Sequence, residues 1–349
     1  MNKNRPIVIL GGGVAGLAVA DALAENGLPC MIVERETALG GRVKNWACTA
    51  TDRCLGCYCC KVDDLIQSVR SSDMVSVQLG WEVARLVRDG SKIESVGIRS
   101  VQTGEEKVAD ACAVVAAVGF EPYNPSEKGF WGYKRLDGVA TLVELNEWVQ
   151  SGNLRSFVSD VNQPLRIAFF QCVGSRDRSI GANYCSEYCC SASLRMALHL
   201  RYSYPQWDIS LFYIDLQIAG KMAGALLKDA RSQGIHLIQG VPGEIIQADD
   251  GRLSIVNVKN GLNAREEFDK IILSTGQRPA RGMNSVAEIL GLKLNEFGFI
   301  SQSHAGSQEH APAPGVYVAG TCAEPGNIQK TLLSAGRAAA LILADYSNL

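Results

Sequence analysis

The sequence predicts an α/β protein in which one parallel-sheet domain is interrupted by a second. Three observations carry this reading. First, an apolar run at 6–10 (Pro-Ile-Val-Ile-Leu) runs straight into a glycine turn, Gly11-Gly12-Gly13-Val14-Ala15-Gly16, a small-residue helical stretch over 14–26 and another apolar run over 30–34. That order is a βαβ unit with a right-handed crossover. Second, the same strand-and-helix rhythm restarts near residue 152. Third, the tail 315–344 supplies one more strand over 316–320 and an alanine-rich helix.

Between these anchors the elements follow from pattern and breakers. Residues 40–61 are rich in Cys and Gly and have no clean period, so they read as a loop leading to a helix near 62–70. Alternating stretches near 75–86, 92–101 and 106–118 read as strands of a small sheet returning to the main one. In the second segment the expected order is strand 165–171, a cysteine region, helix 190–202, strand 208–214 and helix 219–232. Alternation over 253–273 then ends in Ile271-Ile272-Leu273-Ser274-Thr275-Gly276. The expected domains are 1–150 with 276–349, and an insertion over 151–275. No short-period repeat occurs, only this approximate duplication.

At 349 residues, 47% hydrophobic and 20% charged, the chain has enough apolar material for one large core or two to three smaller ones. Lys plus Arg (34) nearly balances Asp plus Glu (36), which leaves no basic footprint for a phosphate backbone, so nucleic acid is not an expected partner. The apolar N-terminal run after Lys3 and Arg5 contains the glycine turn and then Asp21, unlike a signal peptide. No stretch approaches the roughly 20 apolar residues that span a bilayer. A soluble, cytoplasmic protein without membrane insertion is expected. The 12 cysteines are locally clustered, a usage that points to redox or metal chemistry in a reducing compartment.

The glycine turn has the chemistry of a pyrophosphate site. Gly11 permits the tight turn, Gly13 lets the backbone approach phosphate, Gly16 allows close helix-to-strand packing, and the helix N-terminus supplies amide donors. Glu34 ends the second strand, where a carboxylate binds ribose hydroxyls. Three further segments resemble the two-dinucleotide-binding-domain flavoproteins of the thioredoxin and glutathione reductase kind. Leu39-Gly40-Gly41-Arg42 is similar to their second glycine pair. Ala116-Ala117-Val118-Gly119-Phe120-Glu121-Pro122 and Ser274-Thr275-Gly276-Gln277-Arg278-Pro279 resemble their strand ends, and Gly315-Val316-Tyr317-Val318-Ala319-Gly320 their C-terminal flavin motif. The resemblance implies FAD held by Gly11, Gly13, Val14, Ala15, Gly16, Glu34, Arg35, Gly41, Arg42, Val43, Val83, Ala117, Gly119, Gly320, Thr321, Ile328 and Gln329. Thr321 departs from that pattern, which has an aspartate there.

Cys172, Cys185, Cys189 and Cys190 form a C-x12-C-x3-C-C run after the strand-like segment, enough thiolate for one iron–sulfur cubane. Were 185–189 helical, the i, i+4 spacing would bring two β-carbons within about 5–6 Å. Relatives that use pyridine nucleotides have a second glycine fingerprint at this place, and none occurs between 172 and 200. The paired C-x2-C knuckles of structural zinc are also missing. The stretch from Phe170-Gln171-Cys172-Val173-Gly174-Ser175-Arg176-Asp177 through Tyr184-Cys185-Ser186-Glu187-Tyr188-Cys189-Cys190 is similar to the cluster-binding stretch of the heterodisulfide reductase A subunit family. That resemblance implies one [4Fe–4S] cluster on the four cysteines. Without the C-x2-C-x2-C-x3-C-P modules of methanogen members, the chain most resembles the short A subunit of the heterodisulfide-reductase-like complex of sulfur oxidisers. The A-type subunit of the quinone-interacting complex of sulfate reducers comes next.

A first cysteine group, Cys48, Cys54, Cys57, Cys59 and Cys60, contains the C-x-x-C pair Cys54 and Cys57. It reads equally as a second redox site or docking contact and as an unligated cysteine-rich loop. Cys30, Cys112 and Cys322 read as packing residues. His199, His236, His304 and His310 show no metal spacing. Arg176 and Asp177 read equally as supports of the cysteine loop and as solvated charge. The function expected from the resemblance is an FAD and [4Fe–4S] electron-transfer subunit, forming a homodimer and working with B and C subunits and, beyond them, a lipoate-binding protein. The alternative is a stand-alone NAD(P)H-dependent disulfide reductase using Cys54 and Cys57.

Overall fold

A computed structural model describes residues 5–347 apart from 219, 221, 260–261 and 302–312. His304 and His310 lie outside the described residues. The chain divides into two compact units, the first Met1–Lys44, Tyr58–Glu121 and Arg278–Leu349, the second Asn45–Cys57 and Pro122–Gln277.

In the first unit, strand Ile7–Leu10 is the centre of a five-stranded parallel sheet. Cys30–Glu34 and Ala113–Ala116 flank it, and Val75–Leu79 and Val316–Val318 form the edges. All four residues of the central strand are buried, as a parallel strand covered on both faces must be. Val8 and Leu10 face a core shared with Val83, Val96 and Ile98 of an antiparallel sheet (Trp81–Asp89, Lys92–Ser100, Glu106–Asp110) and with helix Met283–Leu290. Ile9 faces the other way, towards helix Val14–Glu25, which packs on helices Lys61–Ser71 and Ile328–Ser347. The stretch expected as one strand over 75–86 breaks at Gly80, whose φ of +75° turns the chain from one sheet into the other. The 106–118 stretch likewise splits into Glu106–Asp110 and Ala113–Ala116.

The second unit repeats the plan. Its parallel sheet runs in the order His236–Gln239, Asp208–Tyr213, Arg166–Val173, Lys270–Thr275, Val139–Thr141. Alternation along Arg166–Val173 sorts its side chains between two cores. Ile167 and Phe169 join Leu194, Leu198, Leu226 and Trp207 under the helices. Ala168 and Phe170 join Ile245, Leu253, Ile255 and Phe268 of an antiparallel sheet. Phe170 meets Phe212 edge-on at 5.4 Å, and Phe212 meets Phe268 at 5.9 Å, a geometry the ring quadrupoles favour.

These unit boundaries differ from the domain division drawn from the sequence. Strand Val139–Thr141 pairs with Lys270–Thr275, so the second unit includes residues well before 151. Residues 45–57 belong to it as well, because Ala47 and Leu55 are part of its helical core. Helix Leu142–Gln150, absent from the sequence reading, begins with a capping box between Thr141 and Glu144.

Candidate functional site

The glycine turn of the first unit is closed by packing at two of its glycines and left open at a third. A β-carbon on Gly11 would overlap the Ala117 carbonyl, and one on Gly16 the Gly11 carbonyl. Gly13 differs. Its φ of −82° suits any residue, and the nearest atom to an added β-carbon is Gly41 Cα at 3.9 Å. No protein atom requires glycine there, and the space beside it is open for a ligand. Behind it, helix Val14–Glu25 starts with no side-chain cap and no acidic residue in its first turn, leaving its first amides for an anion.

Glu34 is buried and accepts from Gly12 N–H at 2.6 Å and Glu36 N–H at 2.8 Å. Gly40 N–H donates to the Gly12 carbonyl at 2.8 Å, which brings the second glycine pair against the first turn. Val43, Val83 and Ala117 are buried in this unit, and Gly119 has a φ of +71°. Arg42 pairs with Glu121 and donates Nε–H to the Phe120 carbonyl at 2.9 Å. Arg35 reaches the other oxygen of Glu121 at 3.3 Å. Both arginines are thus neutralised within the fold by a carboxylate that sequence reasoning did not single out. Gly320 and Thr321 lie in a buried single turn, Gly320–Cys322, where a β-carbon on Gly320 would come within 2.6 Å of Ala15 Cβ. Ile328 and Gln329 open the last helix.

In the second unit, the cysteines gather at the carboxyl ends of the two central strands, where open α/β sheets place ligands. Cys172 is the last residue but one of strand Arg166–Val173, where the register with Lys270–Thr275 shifts, and has a φ of +61°. Cys185 stands in the following loop, and Cys189 and Cys190 are the first residues of helix Cys189–Ser203. The helix thus starts after Cys185, which corrects the i, i+4 geometry considered for 185–189. Glu187, at a φ of +56°, turns the chain, and its N–H points to Cys185 Sγ at 3.3 Å.

Burial pushes the Cys172 thiol up to about 12, with the neighbouring Cys190 and Cys185 adding to the rise. Cys189 and Cys190 are raised for the same reason, burial first and sister thiols after it. Each of the four interacts with the other three. The helix that starts at Cys189 has no acidic residue in its first turn, and its positive end favours thiolate.

Hydrogen bonds fix the surrounding loop. Arg176 N–H donates to the Tyr184 carbonyl at 2.9 Å, Tyr184 OH to the Gln277 carbonyl at 2.8 Å, Tyr188 OH to the Thr275 carbonyl at 2.6 Å, and Gln277 N–H to Ser186 Oγ at 2.9 Å. Arg176 pairs with Asp215, and Asp177 with Lys128, so neither is merely solvated. Gly174 stands where a phosphate loop would need glycine, but its missing side chain makes room for the Tyr123 ring. Among the described residues, no three His, Cys, Asp or Glu side chains converge closely enough to hold a single metal ion.

The first cysteine group divides. Cys48, Cys54 and Cys57 belong to the second unit, Cys59 and Cys60 to the first. Leu55, 2% exposed, anchors the 45–57 segment; its carbonyl accepts Arg195 Nε–H at 2.9 Å, and His199 Nδ1 pairs with the Ala50 carbonyl at 2.8 Å. Cys54 is a free, exposed thiol, and Cys57 is half-buried. Cys30, Cys112 and Cys322 are buried. Asp215, Lys128 and Trp46, which stacks on Tyr188 at 6.2 Å, were not legible, since each reaches the cysteine region from far along the chain.

Residues 9–56 match the family described as NAD(P)-binding Rossmann-like domain. The fold is that of flavoprotein disulfide reductases. Thioredoxin reductase of T. acidophilum aligns with a TM-score of 0.62 at 16% identity over 97% of this chain and 98% of that one. Thioredoxin reductase of Lactococcus lactis aligns with a TM-score of 0.62 at 19% identity over 99% and 100%. In sequence, the A subunit of the ferredoxin:CoB-CoM heterodisulfide reductase of Methanosarcina mazei is 26% identical over 97% of this chain and 53% of its own length. The second iron-sulfur A subunit of the CoB–CoM heterodisulfide reductase of Methanopyrus kandleri is 32% identical over 68% of this chain and 37% of its own. The chain thus spans about half the length, or less, of these curated relatives. These matches to heterodisulfide reductase A subunits support that family for this chain.

Proposed function

We propose that this chain is an oxidoreductase acting on sulfur groups, the FAD- and [4Fe–4S]-containing electron-transfer subunit of a heterodisulfide-reductase-like complex. The observation that carries the reading is the convergence of four thiols at the ends of the central strands of the second unit. They occupy the place where nicotinamide-dependent relatives bind pyrophosphate. FAD fits the first unit because Gly13 leaves a cradle that a β-carbon would fill, backed by uncapped helix amides and the buried Glu34 carboxylate. The cubane fits the second because four cysteines are its donor set, and a cubane spaces them more widely than a single ion would. When bound, the two groups supply two-electron and one-electron transfer respectively.

This chain's own residues do the holding. Gly11, Gly13 and Gly16 bring backbone donors to the pyrophosphate, Glu34 takes the ribose, and the segment opened by Gly320 and Thr321 completes the flavin site. Cys172, Cys185, Cys189 and Cys190 are the iron ligands, with Cys189 and Cys190 opening the helix Cys189–Ser203. The role proposed for this chain is in cytoplasmic sulfur-compound oxidation. The chain works as a homodimer with B and C subunits and, downstream, a lipoate-binding protein that holds the disulfide or persulfide chemistry. No helix among the described residues is long and apolar enough to cross a membrane.

The test is flavin, iron and acid-labile sulfide content after anaerobic purification, with one flavin and about four irons per chain expected. A yellow chain free of iron and sulfide overturns the proposal. The exposed Cys54 of the C-x-x-C pair favours one second reading, a stand-alone NAD(P)H-dependent disulfide reductase. In that case NADPH-driven disulfide reduction would proceed with the isolated chain and stop in Cys54→Ser.

A further inference from the structure

Between Cys172 and Glu187 the chain is held in a conformation that needs explanation. Five described non-glycine residues have positive φ, and three of them, Cys172, Arg176 and Glu187, lie in this segment. Such backbone is disfavoured for a residue with a β-carbon and persists only where the surroundings enforce it. Ser175 N–H donates back to the Cys172 carbonyl at 3.3 Å, and an Asp177–Ala182 bridge closes a short hairpin beyond it. Arg176 sits in this segment at a φ of +55°, and its side chain is 27% exposed. Its guanidinium pairs with Asp215, whose own carbonyl faces Cys190 Sγ at 4.0 Å. Gln217 Nε2 donates to the same Asp215 carboxylate at 3.1 Å. The Arg176 charge acts on Cys172 and Cys190, and Asp215 acts on both with the opposite sign. The pair is unequal, with the Arg176 side chain 27% exposed and that of Asp215 47%. Solvent therefore screens the carboxylate more than the cation.

We infer that Arg176 and Asp215 are positioning residues that set the reduction potential of the group held by the four cysteines. Arg176 raises the potential and Asp215 trims it. This rests on the cluster reading given above. Reduction adds one electron to the cluster, which becomes one unit more negative; no bond in the protein forms or breaks, and no proton moves. In the test the electron comes from dithionite, which is oxidised to sulfite. A cation beside the thiolates stabilises the more negative state.

The experiment is a dithionite titration of the full chain, followed by the electron paramagnetic resonance of the reduced cluster, for the parent, Arg176→Gln, Arg176→Lys and Asp215→Asn. Potentials are read on the fraction of each protein that carries iron. Arg176→Gln should lower the potential, reducing the reduced-to-oxidised ratio at a fixed potential by about tenfold, the scale of a partly screened charge. Arg176→Lys should stay close to the parent, and Asp215→Asn should move upwards. Shifts of opposite sign in Arg176→Gln and Asp215→Asn support the assignment, and any other pattern overturns it. A parent chain with no iron or sulfide sinks the cluster reading itself. A loaded parent whose variants do not move sinks only this inference.

Discussion

Gly12 donates its backbone N–H to Glu34 Oε2 at 2.6 Å, tying the carboxylate that ends the second strand to the turn that follows the first. The turn is therefore shaped before any ligand arrives, and Gly13 is its one open position. Gly13→Val should fold with a melting temperature near the parent's and bind no flavin, because its side chain fills only the ligand's space. Gly16→Val, driven into the Gly11 carbonyl, should lose about 1–3 kcal/mol or more of stability. Visible absorbance and thermal melts separate the two effects, and full flavin occupancy in Gly13→Val would contradict the account.

The turn at 172–177 makes no phosphate cradle, since the space at Gly174 is taken by Tyr123. NADH and NADPH should each reduce the flavin of the isolated chain only slowly. Stopped-flow mixing tests this, and rapid bleaching by either nucleotide would move the stand-alone reductase reading to the front.

Leu55 lies in the middle of the cysteine-rich loop yet is 2% exposed in the second unit's helical core. Leu55→Ala should cost about 2–5 kcal/mol, whereas Cys54→Ser next to it, exposed to solvent, should stay within about 0.5 kcal/mol of the parent. Denaturant unfolding monitored by tryptophan fluorescence measures both. Equal stability in the two variants would mean that the loop is not anchored there.

Burial pushes Cys30 up from 9.0 to about 12, with Cys112 adding to the rise, and burial likewise pushes Cys322 up to about 12. A pKa raised in the fold means that the native state holds the proton more tightly than the unfolded chain. The stabilisation is therefore fully present below pH 9 and is lost as pH rises from 9 through about 12. Stability of the first unit should fall across that window, less steeply in Cys322→Ala. Brief alkylation of the native chain at pH 8, followed by peptide mass spectrometry, should label the exposed Cys48, Cys54 and Cys60 and spare Cys30 and Cys322. Prompt labelling of Cys322 would contradict its burial.

Local patterns made the glycine turn, Glu34, the central strands of both parallel sheets and the cysteine run legible, because each is written in consecutive residues or short spacings, whereas the sheet strands Val139–Thr141 and His236–Gln239 were not read. What escaped depended on distance or on backbone sign. Gly80 breaks a stretch that alternates without interruption, and only its positive φ separates two sheets. Leu55 reads as loop because its burial comes from helix Cys189–Ser203, more than a hundred residues away. The Arg42–Glu121 and Arg176–Asp215 pairs join segments whose approach no periodicity encodes. One missed element had a signal: Thr141 followed by Glu144 is a capping box, and it marked the start of helix Leu142–Gln150.

The central claim is that Cys172, Cys185, Cys189 and Cys190 hold one [4Fe–4S] cluster on a chain that separately holds FAD. Iron and acid-labile sulfide, determined per flavin after anaerobic reconstitution of the parent and of single Cys→Ser variants, tests it most directly. The account predicts about four irons in the parent, a marked loss in each of the four variants with flavin retained, and full iron in Cys54→Ser and Cys57→Ser. Full iron in Cys172→Ser and Cys185→Ser, with loss in Cys54→Ser and Cys57→Ser, would contradict it and place the cluster in the 45–57 segment.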